Sequence, residues 1–358
     1  MSRVLVVATG RKTRGGITSV IKAHETGGQW KKYNCVWIQT HRDSNAVVKL
    51  WYFGTAILEF ILLLPFFDIV HFHFSEDSTA KRKKILMSIA KLLGKKTISH
   101  FHSYSLESTI RSPYRYLYDY LFNNSNLVIV LSEYWRKALV EELGLDEKKV
   151  RILYNPCPQV EPVTRIKDGK VVVKPNNKEI LYAGTVYHRK GYDDMIRAFA
   201  KVAPQHRDWK IVFAGNGEIE QGKALAAELG IADQTVFLGW VSGDDKDAAF
   251  RHATVFCLPS YAEGFPMGVL DAWAYGLPVI TTPVGGIPDI AIDGKNMLLF
   301  NPGDIDALAT QMEKMISNDN LRHSIAAESS LLSHTTFNVK TINEQLGEMY
   351  EEVMEEKS

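Results

Sequence analysis

The sequence predicts an α/β protein made of two Rossmann-like domains that face each other across a cleft, and three observations carry that prediction. Short β-branched runs bounded by turn residues alternate with helix-period segments, the pattern of parallel sheets built from βαβ units. The alternation runs twice, and between the two runs lies a stretch, 156–178, with four prolines, several charges and no sustained periodicity. A length of 358 residues, at about 150 per domain, makes two domains that can each bury a core.

Taken in order, the first run places strands at 4–8, 34–39, 68–73, 96–102, 127–131 and 150–153. Helices fall between them near 18–24, 50–64, 80–93, 114–123 and 134–143. The second run places strands at 179–183, 210–214, 236–238, 255–258, 278–281 and 297–300, with helices near 193–203, 221–229, 246–253, 266–275 and 304–317. The expected division is an N-terminal domain 1–155, a linker 156–178, a second domain 179–337, and a helical, acidic segment 338–358 that packs back on the first domain. Ligands in open α/β sheets bind at the carboxyl ends of the strands and at helix N-termini, so those ends are expected to line the cleft.

Hydrophobic residues are 46% and charged residues 23%, which fits globular material and excludes fibrous and disordered readings. Lys plus Arg total 42 and Asp plus Glu 41, so no whole-molecule field attracts a polyanion and no nucleic-acid partner is expected. Cys35, Cys157 and Cys257 are odd in number, far apart and without C-x-x-C spacing, which argues against a disulfide framework and a zinc site. The apolar run at the N-terminus is too short for a signal peptide, so a cytoplasmic protein is expected. The longest apolar stretch, 60–67, holds Pro65 and is flanked by Glu59 and Asp68, whereas a spanning helix needs about 20 residues. No segment is expected to cross a bilayer.

The most informative stretch is 259–280, PSYAEGFPMGVLDAWAYGLPVI. It reads as a strand end, a glycine-containing loop, a helix with Pro266 in its first turn, and Gly276 as the stop before the next strand. The first turn leaves the amides of Met267, Gly268 and Val269 without intrahelical partners, and the peptide dipoles add roughly half a positive charge there. An anion is expected to settle on it. Glu263 lies in the loop before the helix and Asp271 about a turn and a half inside it, placed to accept hydrogen bonds from hydroxyls. Taken alone, the two residues read better as a loop carboxylate and a solvated helix residue.

This stretch resembles the E-x7-E element of the retaining, nucleotide-sugar-dependent glycosyltransferases of glycosyltransferase family 4, with Asp271 standing where the family has its second Glu. The resemblance extends through most of the chain and is densest from 179 to 300. It implies the two-domain GT-B fold, with Glu263 contacting the donor sugar and Asp271 the ribose. Gly264, Phe265, Met267, Gly268 and Val269 complete the implied donor site. A second element, ILYAGTVYHRKG at 180–191, resembles the family's strand and loop ending in Lys-Gly, and implies that Lys190 binds the donor diphosphate. A fixed cation there stabilises a departing nucleoside diphosphate more in the transition state than in the ground state. Where many members carry Arg after the first Gly, this chain has Thr185, and Arg189 is the substitute it offers.

Gly215-Asn216-Gly217 follows a strand and lets backbone approach a ligand closely, with Gly217 assigned to the donor. Gly239-Trp240-Val241 matches the place where the family's main chain meets the nucleotide base, which assigns Val241. In the first domain, Gly15 and Gly16 resemble the family's N-terminal glycine loop, before a helix that Thr18 or Ser19 caps. The loop does not fit G-x-G-x-x-G, which counts against a dinucleotide enzyme. His71, His73, His100 and His102 pair up on strand faces. Of these the resemblance assigns His102 to the donor sugar, and the other three read as packing or cleft-lining residues, with no metal expected. Asp304-Ile305-Asp306 imitates a metal-binding D-x-D but reads as a helix cap.

Lys81, Lys84, Lys91 and Lys95 recur near one face of a helix whose other face carries Ile85, Ile89, Leu92 and Leu93, and Arg82, Lys83 and Lys96 add charge. An anionic membrane surface would attract such a patch, and a soluble Rossmann helix would also look like it. The expected activity is transfer of a hexosyl group from a nucleoside-diphosphate sugar, UDP-sugar ahead of GDP- or ADP-sugar, to a saccharide hydroxyl, without metal or further cofactor. The expected acceptor is lipid-linked, in cell-surface polysaccharide assembly at the inner face of the membrane. A sugar-nucleotide epimerase and a non-catalytic sugar-nucleotide binder are the alternatives.

Overall fold

In the computed structural model the described residues are 2–42, 44–160, 165–167, 170–172 and 177–356. The chain divides into two compact units, Met1–Pro156 with Val339–Ser358, and Cys157–Asn338. Unit 1 runs β1 (Val4–Ala8), α1 (Gly16–Glu25), α2 (Gly28–Lys32), β2 (Val36–Gln39), α3 (Ala46–Leu63), β3 (Ile69–Phe74), α4 (Asp77–Leu92), β4 (Lys96–Phe101), α5 (Arg115–Asn123), β5 (Leu127–Val130), α6 (Glu133–Leu143) and β6 (Val150–Ile152). Unit 2 opens with the antiparallel pair β7 (Arg165–Lys167) and β8 (Lys170–Val172). It continues with β9 (Glu179–Ala183), α7 (Tyr192–Val202), β10 (Lys210–Ala214), α8 (Ile219–Glu228), β11 (Thr235–Gly239), α9 (Asp244–His252), β12 (Val255–Leu258) and α10 (Met267–Ala274). After it come β13 (Val279–Thr281), β14 (Leu298–Leu299), α11 (Ile305–Ser317) and α12 (Asp319–His334). The last helix, α13 (Val339–Glu355), belongs to unit 1.

Each unit is built on a six-stranded parallel sheet, and the two are wound differently. Unit 1 has the order β2-β1-β3-β4-β5-β6, and unit 2 the order β11-β10-β9-β12-β13-β14. The winding reverses where β1 meets β3 in unit 1 and where β9 meets β12 in unit 2, and loops leaving such a point part to form a crevice. The strands are near-continuous apolar runs because parallel sheets are covered on both faces. All of β1 is buried. Its alternation sends Val4, Val6 and Ala8 to a layer with Ile342, Leu346 and Tyr350 of α13, and Leu5 and Val7 to a layer with Phe60, Phe72 and Trp135.

Several elements differ from the sequence expectation. The linker 156–178 falls partly outside the described residues, at 161–164, 168–169 and 173–176, and its described part holds β7 and β8, three-residue strands too short to show periodicity. Helix α12 was not anticipated, because the face it buries carries Arg322, Ile325, Ser329 and Ser333, a helical stripe that is mostly polar. Helix α1 begins at Gly16, so Gly15 at φ 139° is its cap position and neither Thr18 nor Ser19 caps it. Thr18 instead donates to the Gly10 carbonyl at 3.3 Å.

Helix α4 is turned from the orientation its pattern suggested. Its buried face is Ala80, Lys83, Leu86, Met87 and Ala90, spaced by three and four, while Ile85, Leu92 and Leu93 are exposed beside the lysines. Lys83 therefore lies in the interior, donating to Thr40 Oγ1, and burial holds its pKa well below the usual lysine range. Lys96 is also engaged, its ammonium donating to the carbonyls of Val353, Met354 and Glu356 at the end of α13. Helix α3 bears on the membrane expectation. From Ala46 to Phe66 it is long and apolar enough to cross a bilayer, which a count of uninterrupted apolar residues misses because Lys49 and Glu59 break the run.

Candidate active site

The centre of interest in unit 2 is the reversal point between β9 and β12. The loop after β9 ends in Arg189, Lys190 and Gly191; the loop after β12 carries Ser260 to Pro266. Gly191 sits at φ 70°, and a Cβ there would collide with the Pro259 carbonyl, so only glycine lets the two loops close on each other. They are stitched by the Tyr261 amide donating to the Arg189 carbonyl at 2.9 Å, and by Arg189 Nη1 donating to the Ala262 carbonyl at 2.6 Å. Lys190 Nζ then forms an ion pair with Glu263 Oε1. Its side chain is 17% exposed and that of Glu263 8%, so this is a nearly dry charge pair.

Glu263 is held from below as well. Ser260 Oγ donates to Glu263 Oε1 at 2.6 Å, and Thr282 Oγ1 donates to the Ser260 carbonyl at 2.5 Å. Gly285, at φ 60°, packs its Cα against the Glu263 carbonyl, and the Gly286 amide donates to the Gly264 carbonyl at 2.8 Å. Sequence reasoning missed Ser260, Thr282 and Gly285; the Gly285-Gly286 pair after β13 was the one signal that a backbone must pass close by.

Helix α10 starts at Met267 with Pro266 as its cap. The amides of Met267 and Gly268 donate to no backbone carbonyl, but Val269 N donates to the Pro266 carbonyl at 3.1 Å. That corrects the sequence reading: among the described residues two of these amides, not three, lack a backbone acceptor, because the first turn tightens to a three-residue spacing. A Cβ at Gly268 would sit 3.1 Å from the Ala183 carbonyl, so this glycine lets α10 press against the end of β9. Phe265 turns inward and stacks on Phe337 with ring centroids 6.0 Å apart, which leaves its backbone rather than its ring for any ligand.

Asp271 is buried rather than solvated. Lys246 Nζ, on α9, donates to Asp271 Oδ2 at 2.7 Å. Burial raises the Asp271 pKa and the lysine opposes that shift without cancelling it. Lys246 carries no local signal in the sequence, since it lies inside the acidic run Asp244-Asp245-Lys246-Asp247. Val241 is half-buried in the loop before α9. Gly215 and Gly217 approach closely, but what they approach is the chain itself. Cβ atoms there would strike the carbonyls of Gly184 and Val186, which fixes the loop after β9. Asp304 is a cap, accepting from the Ala307 amide at 2.9 Å, and Asp306 pairs with Lys201.

The remaining predicted residues lie in unit 1. Gly15 and Gly16 open α1. His102 follows β4, partly exposed, with Nε2 2.9 Å from His73 Nδ1. Burial and the neighbouring His24 pull its pKa down to about 3, so it is a neutral imidazole.

Two family models match the chain, glycosyltransferase family 4 over residues 9–158 and the group 1 glycosyl transferases over residues 163–330. An uncharacterized glycosyltransferase of Methanocaldococcus jannaschii is 27% identical over 236 residues, 64% of this chain and 60% of that protein. The D-inositol 3-phosphate glycosyltransferase of Corynebacterium jeikeium is 29% identical over 251 residues, 65% of this chain and 59% of that protein. The capsular polysaccharide biosynthesis glycosyltransferase CapM of Staphylococcus aureus is 28% identical over 183 residues, 51% of this chain and 48% of that protein. The matched stretches thus span 60% or less of these relatives. Among solved structures, Anabaena HepE in complex with UDP-glucose superposes with a TM-score of 0.77 at 17% identity, covering 98% of this chain and 99% of that one. That likeness shows the GT-B glycosyltransferase fold.

Proposed function

The chain belongs to the glycosyltransferases that these two families describe, and from that premise we propose that it moves a sugar from a nucleoside-diphosphate sugar to a saccharide hydroxyl with retention at the anomeric carbon. The observation that carries this reading is the meeting, at the reversal point of unit 2, of Lys190, Glu263 and the free amides of Met267 and Gly268. A diphosphate resting on those amides takes Lys190 as its counter-ion, and Glu263, released from the pair, accepts hydrogen bonds from sugar hydroxyls. Asp271, held by Lys246, accepts from the ribose. His102 keeps the donor-sugar role the resemblance gives it.

In the reaction the bond from the anomeric carbon to the leaving phosphate oxygen breaks and a bond to the acceptor oxygen forms on the same face. The acceptor's proton passes to the leaving oxygen, so no protein nucleophile is required. The charge that grows on the diphosphate meets donors already in place, the arrangement that lowers a barrier most. UDP-sugar is the proposed donor, a choice supported by HepE, which was solved with UDP-glucose. CapM, which carries the name of a capsular polysaccharide biosynthesis glycosyltransferase, supports a polysaccharide setting, and a lipid-linked saccharide is the proposed acceptor.

The proposed acceptor brings a membrane with it. Helix α3 buries Ala56 and Phe60 in unit 1 and exposes Val47, Leu50, Trp51, Leu58 and Leu62. Being packed on its inner side, it suits lying in a headgroup layer rather than spanning, with Lys84 and Lys91 of α4 adding about 1 kcal/mol each toward anionic lipid. Co-sedimentation with anionic vesicles, weakened by Trp51→Ser with Leu62→Ser, is the expected result; a wild-type chain that stays in the supernatant rules the contact out.

For the activity, Lys190→Ala and Glu263→Ala are each expected to cut turnover at least about a hundredfold while the melting temperature holds. Near-normal turnover in both defeats the site assignment. Donor incubated alone separates the other readings: an isomerised sugar indicates an epimerase, and binding with no nucleoside diphosphate released under any acceptor indicates a binder.

A further inference from the structure

Unit 1 gathers imidazoles that sugar transfer does not use. In the β3–β4 register His73 stands opposite His100, and His71 lies two residues back on the same face of β3. His24 of α1 reaches the same cluster, its ring 6.5 Å from that of His73 and 6.4 Å from that of His100. The ring pairs His71–His73, His73–His100 and His71–His100 lie 4.3, 4.7 and 5.4 Å apart. One nitrogen from each of His71, His73 and His100 falls within 4.8 Å of the other two.

The hydrogen bonds of these rings are lopsided. His71 Nδ1 meets the Tyr350 hydroxyl at 2.9 Å, and His73 Nδ1 meets His102 Nε2 at 2.9 Å. Among the described residues, His71 Nε2, His24 Nε2 and both nitrogens of His100 are buried with no hydrogen-bond partner. An unpaired buried polar atom is costly, and most buried polar side-chain atoms find a partner. The structure thus gathers unpartnered ring nitrogens in one buried cluster, and each neutral ring there offers one lone pair.

We propose that unit 1 carries a site for a divalent transition-metal ion, zinc above others, ligated by His71, His73 and His100. Imidazole nitrogen suits zinc, cobalt, nickel and copper, whereas calcium and magnesium need oxygen, which this cluster does not offer. Two of the three ligands also have an outer-shell partner. A ligating histidine ordinarily gives its other N–H to a fixed acceptor, and Tyr350 and His102 stand where His71 and His73 need one. Zinc–nitrogen bonds of about 2.0–2.1 Å place tetrahedral ligands roughly 3.4 Å apart, so metal binding must draw these nitrogens closer than the 4.8 Å within which they now lie. His102, partly exposed, marks the side from which an ion enters and a fourth ligand comes.

The three ligands lie outside the donor-binding residues of unit 2, and the two readings meet only at His102. Its test is titration of the full chain, stripped by chelator, with Co²⁺ and then Zn²⁺. One cobalt per chain is expected, with the strong visible absorption of low-coordinate imidazole-bound cobalt, displaced by one equivalent of zinc. His71→Phe and His100→Phe are each expected to weaken uptake at least tenfold, while His188→Gln and His206→Gln, at histidines of unit 2, leave it unchanged. A wild-type chain that takes up no stoichiometric metal or shows only the weak spectrum of hydrated cobalt overturns the proposal; this reading needs no variant to fold. So does a spectrum that survives both phenylalanine variants, or one lost in the unit 2 controls.

Discussion

Units 1 and 2 share a scaffold and furnish it in opposite ways. Both are six-stranded parallel sheets with one reversal point. At the carboxyl ends of its strands unit 1 collects neutral imidazoles, while unit 2 keeps the charged pairs Lys190–Glu263 and Lys246–Asp271. The difference teaches that the sheet decides only where a site forms, and the residues just past the strand ends decide what it can bind. Unit 1 avoids charge even in its lysine. Lys83 is buried with Thr40 Oγ1 as its hydrogen-bond acceptor, whereas Glu263 and Asp271 of unit 2 each have a lysine of their own.

Two substitutions probe that contrast. The larger effect is expected in unit 1: Thr40→Val leaves the Lys83 nitrogen without its acceptor and should lower stability by about 1–3 kcal/mol in denaturant titrations, with nucleotide affinity untouched. Adding Lys83→Met should restore most of the loss, since an apolar side chain of similar volume needs no partner. If Thr40→Val is silent, the interior of unit 1 tolerates charge better than this comparison holds.

The smaller effect is expected in unit 2. Burial raises the Asp271 pKa above its value in the unfolded chain, so the unfolded state gives up this proton first as pH rises. The ionised carboxylate therefore costs stability at neutral pH, a cost that fades as pH falls through the raised folded-state value and is gone below the unfolded value of about 3.9. Asp271→Asn should accordingly stabilise the chain slightly at pH 7, by about 1 kcal/mol or less, and lose that advantage in acid, while donor affinity falls. A variant that is less stable at pH 7 shows the Lys246 pair to be worth more than the burial it offsets.

Much of the fold was legible because buried parallel strands are continuous apolar runs, and β1, β9 and β12 lie where those runs lie. What stayed hidden was structure whose buried face is polar, as in α12, or whose orientation the pattern misstates, as in α4, where Lys83 points in and Leu92 points out. In the site, Lys190 and Glu263 were each singled out, but their pairing was not readable: they are 73 residues apart and meet only because β9 and β12 are neighbours. Lys246 was invisible for the same reason. Its partnership with Asp271 is made in space by α9 and α10, and no spacing in the sequence records it.

The central claim is that the reversal point of unit 2 holds a nucleoside diphosphate against the start of α10 with Lys190 as counter-ion. Calorimetric titration of UDP, GDP and ADP into the full chain and into Lys190→Ala tests it most directly. One diphosphate bound per chain, with affinity at least about tenfold weaker in the variant, is the predicted result. Equal affinity in both proteins, or no binding of any of the three, contradicts it.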